Sequence, residues 1–386
     1  MTLQEPDAIL TKLQGQTIVL PDLEPIFDGW PRGVNQNLEQ LRRDVDDWLG
    51  SAMKHSTKLG SLKAADIGYW GATWWPQAKY ERLRIGTFLV AWLFVWDDEL
   101  DMKDGSLWHS FELSNSYRNE TREFVQYCLG LTDENHSIAG AINATVRAFE
   151  TIGEAICKAY DHDQRKRLMV DMEQFIEMTR TEQMLRLRGT LPSLEEFWSY
   201  RLGSSAVPVI IAMNEFAWGT NGLPAILLRD GDVKLLCDYT NIIIATLNDI
   251  LSLKKEIACG SIGSMIPLLY AQSSDAQLAV DQTAQYLFAN VKAFRDTVQR
   301  LLGSDKKDGL EGPPELYNLI EGCQIYCTGN LTWRNVPVQY EPFLTLLTLG
   351  VQSCYPTIWN VRPGHDWWSA CYTLSVGQGL VGLRQI

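Results

Sequence analysis

From Gln77 to Leu100 the apolar side chains Leu83, Ile85, Phe88, Leu89, Trp92, Leu93 and Trp96 recur at three- and four-residue steps. At 3.6 residues per turn such positions return to one side of a helix, so the segment reads as a helix pressed into a core. Stripes of the same kind follow over 138–160, 164–187, 234–256, 276–302 and 314–331. Breakers separate them at Gly189 to Pro192, Gly219 to Pro224, Gly260 to Gly263 and in SDKKDGLEGPP from Ser304 to Pro314. No series of short alternating strands appears, which argues against a sandwich, a barrel or an α/β sheet. The expected fold is all-α, a bundle of about ten helices whose core can hold a site lined by inward-facing side chains. No internal repeat or low-complexity tract divides the chain, so residues 1–386 are expected to form a single domain. Residues 1–50, with Pro21, Pro25 and Pro31, are expected to be an irregular lead that packs on the bundle.

Composition narrows the partners. A hydrophobic fraction of 46% in 386 residues suits a full core. The formal net charge of −13, with no run of Lys and Arg, disfavours nucleic acid and anionic lipid surfaces. An anionic small substrate would need bound cations or a local basic cluster, because the mean field repels it. The start, MTLQEPDAILTKLQ, has no apolar core of signal-peptide length, and no apolar run reaches the roughly 18 residues of a membrane span. A cytoplasmic protein without a membrane span is expected. Cys128, Cys157, Cys237, Cys259, Cys323, Cys327, Cys354 and Cys371 are scattered, as reduced core thiols are. Cys323 and Cys327 sit at helical spacing, but no neighbouring His or third Cys completes a metal site.

Two acidic clusters carry chemistry. The stripe ending at Trp96 runs into Asp97, Asp98, Glu99, Leu100 and Asp101, and Asp97 and Asp101 share a face. Clustered acids at the end of an apolar helix repel unless cations or water neutralise them. Hard oxygen ligands of this kind suit Mg²⁺ shared with a substrate phosphate, although a solvated helix end is the plain alternative. In the second cluster, NDILSLKKE, Asn248, Ser252 and Glu256 step by four and offer three oxygens to one cation. Their strip spans about 12 Å along the axis, and helical side chains lean toward the amino end, so the far ligand must be long, as Glu is. Lys255 lies beside this strip, placed to pair with a diphosphate oxygen.

Asp97-Asp98-Glu99-Leu100-Asp101 resembles the aspartate-rich motif of class I terpene synthases, and NDILSLKKE is similar to their second metal motif at every defining position. The two occur in the family's order, about 150 residues apart. The resemblance implies a single-domain class I terpenoid synthase bundle around a central apolar cavity. It also implies that Asp97, Asp98, Asp101, Asn248, Ser252 and Glu256 hold three Mg²⁺ ions with bound diphosphate. It further implies an arginine that senses diphosphate where a helix breaks. Arg201, before Leu202-Gly203-Ser204-Ser205-Ala206, fills that place, with Arg186 and Arg188 as rivals. Gly329-Asn330-Leu331-Thr332-Trp333 resembles the segment leading to the family's paired Arg and Tyr. Tyr340 keeps the tyrosine, but Gln339 stands at the arginine position. An amide carries no cation, so either Arg334 or another basic residue compensates, or diphosphate capture is weaker at that corner.

The implied reaction breaks a carbon–oxygen bond, leaving an allylic cation and a diphosphate whose charge Mg²⁺, Arg201, Lys255 and Tyr340 would stabilise. The cation needs an apolar, closed cavity with aromatic faces. Phe94, three residues before Asp97, and Trp333 are the lining candidates, ahead of Trp70, Trp367 and Trp368. The resemblance implies a prenyl diphosphate partner, by analogy farnesyl diphosphate, with geranylgeranyl diphosphate as the alternative, and allows a homodimer. A chain-elongating prenyltransferase would need a second aspartate-rich motif, and a helical scaffold would leave both motifs unexplained.

Overall fold

The computed structural model describes residues 6–52, 59–103, 105–133, 138, 142–220, 222–258, 260–304 and 313–335. The main helices are α1 (Pro6–Leu13), α2 (Leu38–Ala52), α3 (Ile67–Trp74), α4 (Tyr80–Asp101), α5 (Phe111–Cys128), α6 (Glu150–Ala159) and α7 (His162–Leu187). They continue with α8 (Leu194–Ser204), α9 (Val207–Ala212), α10 (Gly231–Leu251), α11 (Leu253–Ala258), α12 (Met265–Ser273), α13 (Ala276–Ser304) and α14 (Pro314–Asn335). Short helical turns join several of them, and the described residues contain no strand. Helices are more numerous than the ten expected because a break at Ser252 subdivides the 234–256 stripe and helices such as α1, α2, α8 and α9 form outside the stripes.

Local chemistry starts the long helices where the chain needs them. Asp161 and Gln164 form a capping box at α7, and Ser193 and Glu196 form another at α8, each satisfying amide donors that the first turn leaves open. Asp230 caps α10 by accepting from the amides of Asp232 and Val233. The stripe over 77–100 becomes α4, which is buried almost all round, as an apolar run without a polar face must be. Trp92 and Trp96 are fully enclosed, and each indole finds an acceptor, Thr145 O at 2.7 Å and Thr121 Oγ1 at 2.8 Å.

One continuous core runs from Ile9 to Trp333. Within it α10 lies along α13 and α14, while α14 packs on α3 and α7 on α8. The approach of α14 to α3 is close. A Cβ on Gly329 would lie 2.8 Å from Thr73 O. No helix of the described residues is long and apolar enough to cross a membrane.

The expectation of an irregular lead over residues 1–50 is corrected by α1 and α2. In LEQLRRDVDDWLGSA the apolar stripe is one residue wide, and it buries Leu41, Val45 and Leu49. Charged neighbours and the prolines upstream hide a stripe that narrow. The described cysteines, Cys128, Cys157, Cys237, Cys323 and Cys327, are free thiols, as expected.

Candidate functional site

The last two turns of α4 present the first acidic cluster at the helix's carboxyl end, where the backbone dipole already repels negative charge. Burial pushes the Asp97 carboxyl well above the ordinary range, Asp101, Glu182 and Asp98 push it further, and Arg201 opposes them. Asp101 is half exposed and accepts from Arg186 Nη1 at 2.7 Å. The Arg186 guanidinium also lies 3.5 Å from the centre of the Trp108 ring. Glu99, turned about 200° from Asp97, accepts instead from the Thr145 hydroxyl. Asp98 is part-buried between these two directions.

The second cluster straddles the junction of α10 and α11. The helical path persists across it, since Ser252 N donates to Asn248 O at 2.8 Å and Glu256 N to Ser252 O at 2.9 Å. Asn248, Ser252 and Glu256 therefore stay on one strip. The Ser252 hydroxyl donates to Glu256 Oε1 at 2.6 Å and lies 3.4 Å from Asn248 Oδ1, while Ser264 donates to Glu256 Oε2 at 2.8 Å. Lys255 is exposed, with no partner among the described residues.

Arg201 joins the two clusters. It lies one turn before the end of α8, and the chain then bends at Ala206, whose φ of 58° is left-handed, before α9 begins. Its Nη2 donates to Asp249 Oδ1 at 3.3 Å, and Asp249 Oδ2 accepts from the Met265 amide at 2.8 Å. Burial raises the Asp249 pKa, Arg201 opposes and Glu256 adds to the rise, which leaves it at about 7. Burial alone would lower the Arg201 pKa, but Asp249, Glu182 and Glu256 outweigh it and leave it raised. Arg201 Nε is buried without a hydrogen-bond partner among the described residues. This guanidinium thus lies within the fields of both Asp97 and Glu256. Of the two rivals, Arg186 pairs with Asp101 of the first cluster and Arg188 with Glu196 at 3.1 Å.

Phe94, 36% exposed, stacks on Trp333 with centroids 6.2 Å apart, and the Trp333 indole donates to Ala65 O at 2.9 Å. Trp70 stacks on Trp74 at 4.0 Å and is core packing. Tyr340, Gln339, Trp367 and Trp368 lie outside the described residues. A cavity of about 440 Å³ beside α4 is lined by Glu99, Tyr117, Glu120 and Asn143, on the flank turned away from Asp97, and takes in no expected site residue. Sequence reasoning missed Glu182, which stands with Asp97, Asp101 and Arg201 and whose pKa burial raises. It also gave no role to Asp249. The available signal for Glu182 was its place four residues before Arg186, a spacing that reads equally well as a solvent-facing pair.

Among the described residues no three Asp, Glu, His or Cys side chains form a cage for an ion by themselves. The donors on the second strip include an amide and a hydroxyl, and the whole set is oxygen, without imidazole or thiolate. That chemistry fits a hard divalent cation completing its shell with ligand oxygens.

The model of "Terpene synthase family 2, C-terminal metal binding" matches residues 89–293, more than half of the chain and both acidic clusters. The chain is similar to the sesquiterpene cyclase hepA of Aspergillus oryzae, 30% identical over 86% of this chain and 91% of that one. It is also similar to the terpene cyclase braA of Annulohypoxylon truncatum, 24% identical over 84% and 86% of the two chains. Its fold is like that of germacradien-4-ol synthase from Streptomyces citricolor, with a TM-score of 0.66, 17% identity, and coverage of 79% of this chain and 96% of that one.

Proposed function

Because the chain belongs to the metal-binding terpene synthase family, we propose that it ionises farnesyl diphosphate with Mg²⁺ and guides the cation to a cyclic sesquiterpene hydrocarbon or alcohol. The observation that carries this reading is Arg201, which is bonded to Asp249 of the second cluster and lies within the field of Asp97 of the first. A guanidinium between two sets of oxygen donors is an arrangement suited to a small, highly charged anion held together with cations.

In this reading Asp97, Asp98 and Asp101 on one side, and Asn248, Ser252 and Glu256 on the other, hold three Mg²⁺ ions with the diphosphate. Bound Mg²⁺ supplies Lewis-acid stabilisation of charge on the leaving oxygens. Arg201, Lys255 and Tyr340 donate hydrogen bonds to those oxygens as the carbon–oxygen bond breaks. Arg201 is already held by Asp249 before charge develops, so little reorganisation opposes its part in the step. The stacked faces of Phe94 and Trp333 stabilise the carbocation without offering it a nucleophile. Glu182 balances Arg201 and orients it.

Incubation with geranyl, farnesyl and geranylgeranyl diphosphates, with and without EDTA, followed by mass spectrometry tests the reading. A cyclic fifteen-carbon product and EDTA-sensitive pyrophosphate release are expected. A longer prenyl diphosphate as product would replace cyclisation with chain elongation, and turnover of none would overturn the proposal.

A further inference from the structure

A further guanidinium, Arg334, is not yet used by the proposed chemistry. Arg334 lies in the last turn of α14, next to Trp333, and its guanidinium carbon is 4.3 Å from the centre of the Trp333 ring. Its Nε is buried, and it has no hydrogen-bond or ion-pair partner among the described residues. Glu256 is the acid that acts on it, but both Glu256 oxygens already accept from the hydroxyls of Ser252 and Ser264. Burial outweighs Glu256 and pulls the Arg334 pKa down to about 10, so the group stays charged at neutral pH.

A buried cation without an anion is costly, and an aromatic face offsets only part of that cost. Trp333 also fixes where the guanidinium stands, since its own indole is tied to Ala65 and its ring stacks on Phe94, one turn before Asp97. Arg334 is therefore held against the Trp333 ring, on the helix that packs along α10, within the field of Glu256 and with its donors unspent. Resting on the reading of this site as a diphosphate site, we propose that Arg334 binds the diphosphate group from the α14 side. It supplies the charge that the amide at Gln339 lacks. A planar guanidinium can present two parallel N–H donors to phosphate oxygens, which Lys cannot.

Calorimetric titration of the full chain with inorganic pyrophosphate and Mg²⁺ tests this, alongside KM and kcat for farnesyl diphosphate. Arg334→Gln should weaken pyrophosphate binding by about 10-fold or more, and Arg334→Lys should lose a smaller part, because a charged bidentate contact is being removed or reduced to one point charge. Exposed Lys158→Gln should bind as the unaltered protein does. A folded Arg334→Gln protein with unchanged pyrophosphate affinity overturns the assignment. Should that variant fail to fold, Arg334→Lys decides alone, with weakened binding supporting the assignment and equal binding overturning it. An unaltered chain that neither binds pyrophosphate with Mg²⁺ nor consumes any prenyl diphosphate overturns the reading of the whole site. An active chain with an indifferent Arg334→Gln variant overturns this assignment alone.

Discussion

A carboxylate that must be charged to hold a cation is expensive to bury, and Asp97 is buried among Asp98, Asp101 and Glu182 with Arg201 as its main opposing charge. Bound cations would offset that repulsion. Asp97→Ala and Glu256→Ala should each lower turnover on the order of 100-fold or more while leaving the helical circular dichroism intact. Full activity in both variants would remove the metal assignment. Asp171 gives a contrast outside the site. Burial raises its pKa from 3.8 to about 7, against Arg167. An acid that holds its proton more tightly when folded costs stability as pH climbs from about 4, and that cost is complete above about 7. Asp171→Asn should therefore match the unaltered protein at pH 4 and melt progressively higher than it toward pH 8. A pH-independent difference would contradict the shift. The two acidic clusters could be picked out of the sequence because residue type and four-residue spacing mark them. Glu182 could not, since Glu followed four residues later by Arg is the ordinary pattern of a wet helix face.

Elements place those residues. Arg201 reaches Asp249 because α8 stops at Ser204 and the left-handed Ala206 redirects the chain into α9, which packs on α10. The Gly-Ser-Ser stretch foretold that break. It could not foretell the partner, because spacing fixes a side chain's angle on its own helix and says nothing of which helix stands opposite. The α2 stripe was hidden for another reason, being one apolar residue wide between charged neighbours. The contact of α14 with α3 depends on a missing side chain, since a Cβ at Gly329 would come 2.8 Å from Thr73 O and 3.0 Å from Trp74 Cδ1. Gly329→Ala should cost about 1–3 kcal/mol in denaturant unfolding and tilt Trp333 and Arg334 with their helix. An unchanged midpoint would show that the two helices are looser than described.

Across the whole molecule, a net charge of −13 must coexist with capture of an anion. In the proposed reading, oxygen donors and guanidinium groups gathered in one place let ligand and cations bind as a neutralised unit. Pyrophosphate and Mg²⁺ added together should raise the melting temperature, with about 2.7 kcal/mol of stabilisation at a hundredfold excess over Kd. Either one alone should do much less, and equal shifts from each alone would contradict cooperative binding. The all-α class was legible from periodicity and the two acidic clusters from their letters, but the packing of α8 on α10 that pairs Arg201 with Asp249 was not. The proposed site is best tested by anomalous diffraction from crystals grown with Mn²⁺ and pyrophosphate. Peaks lying between the Asp97 and Asp101 carboxylates and the Asn248, Ser252 and Glu256 strip are the predicted result. Pyrophosphate bound with the metal peaks remote from both clusters would contradict the account.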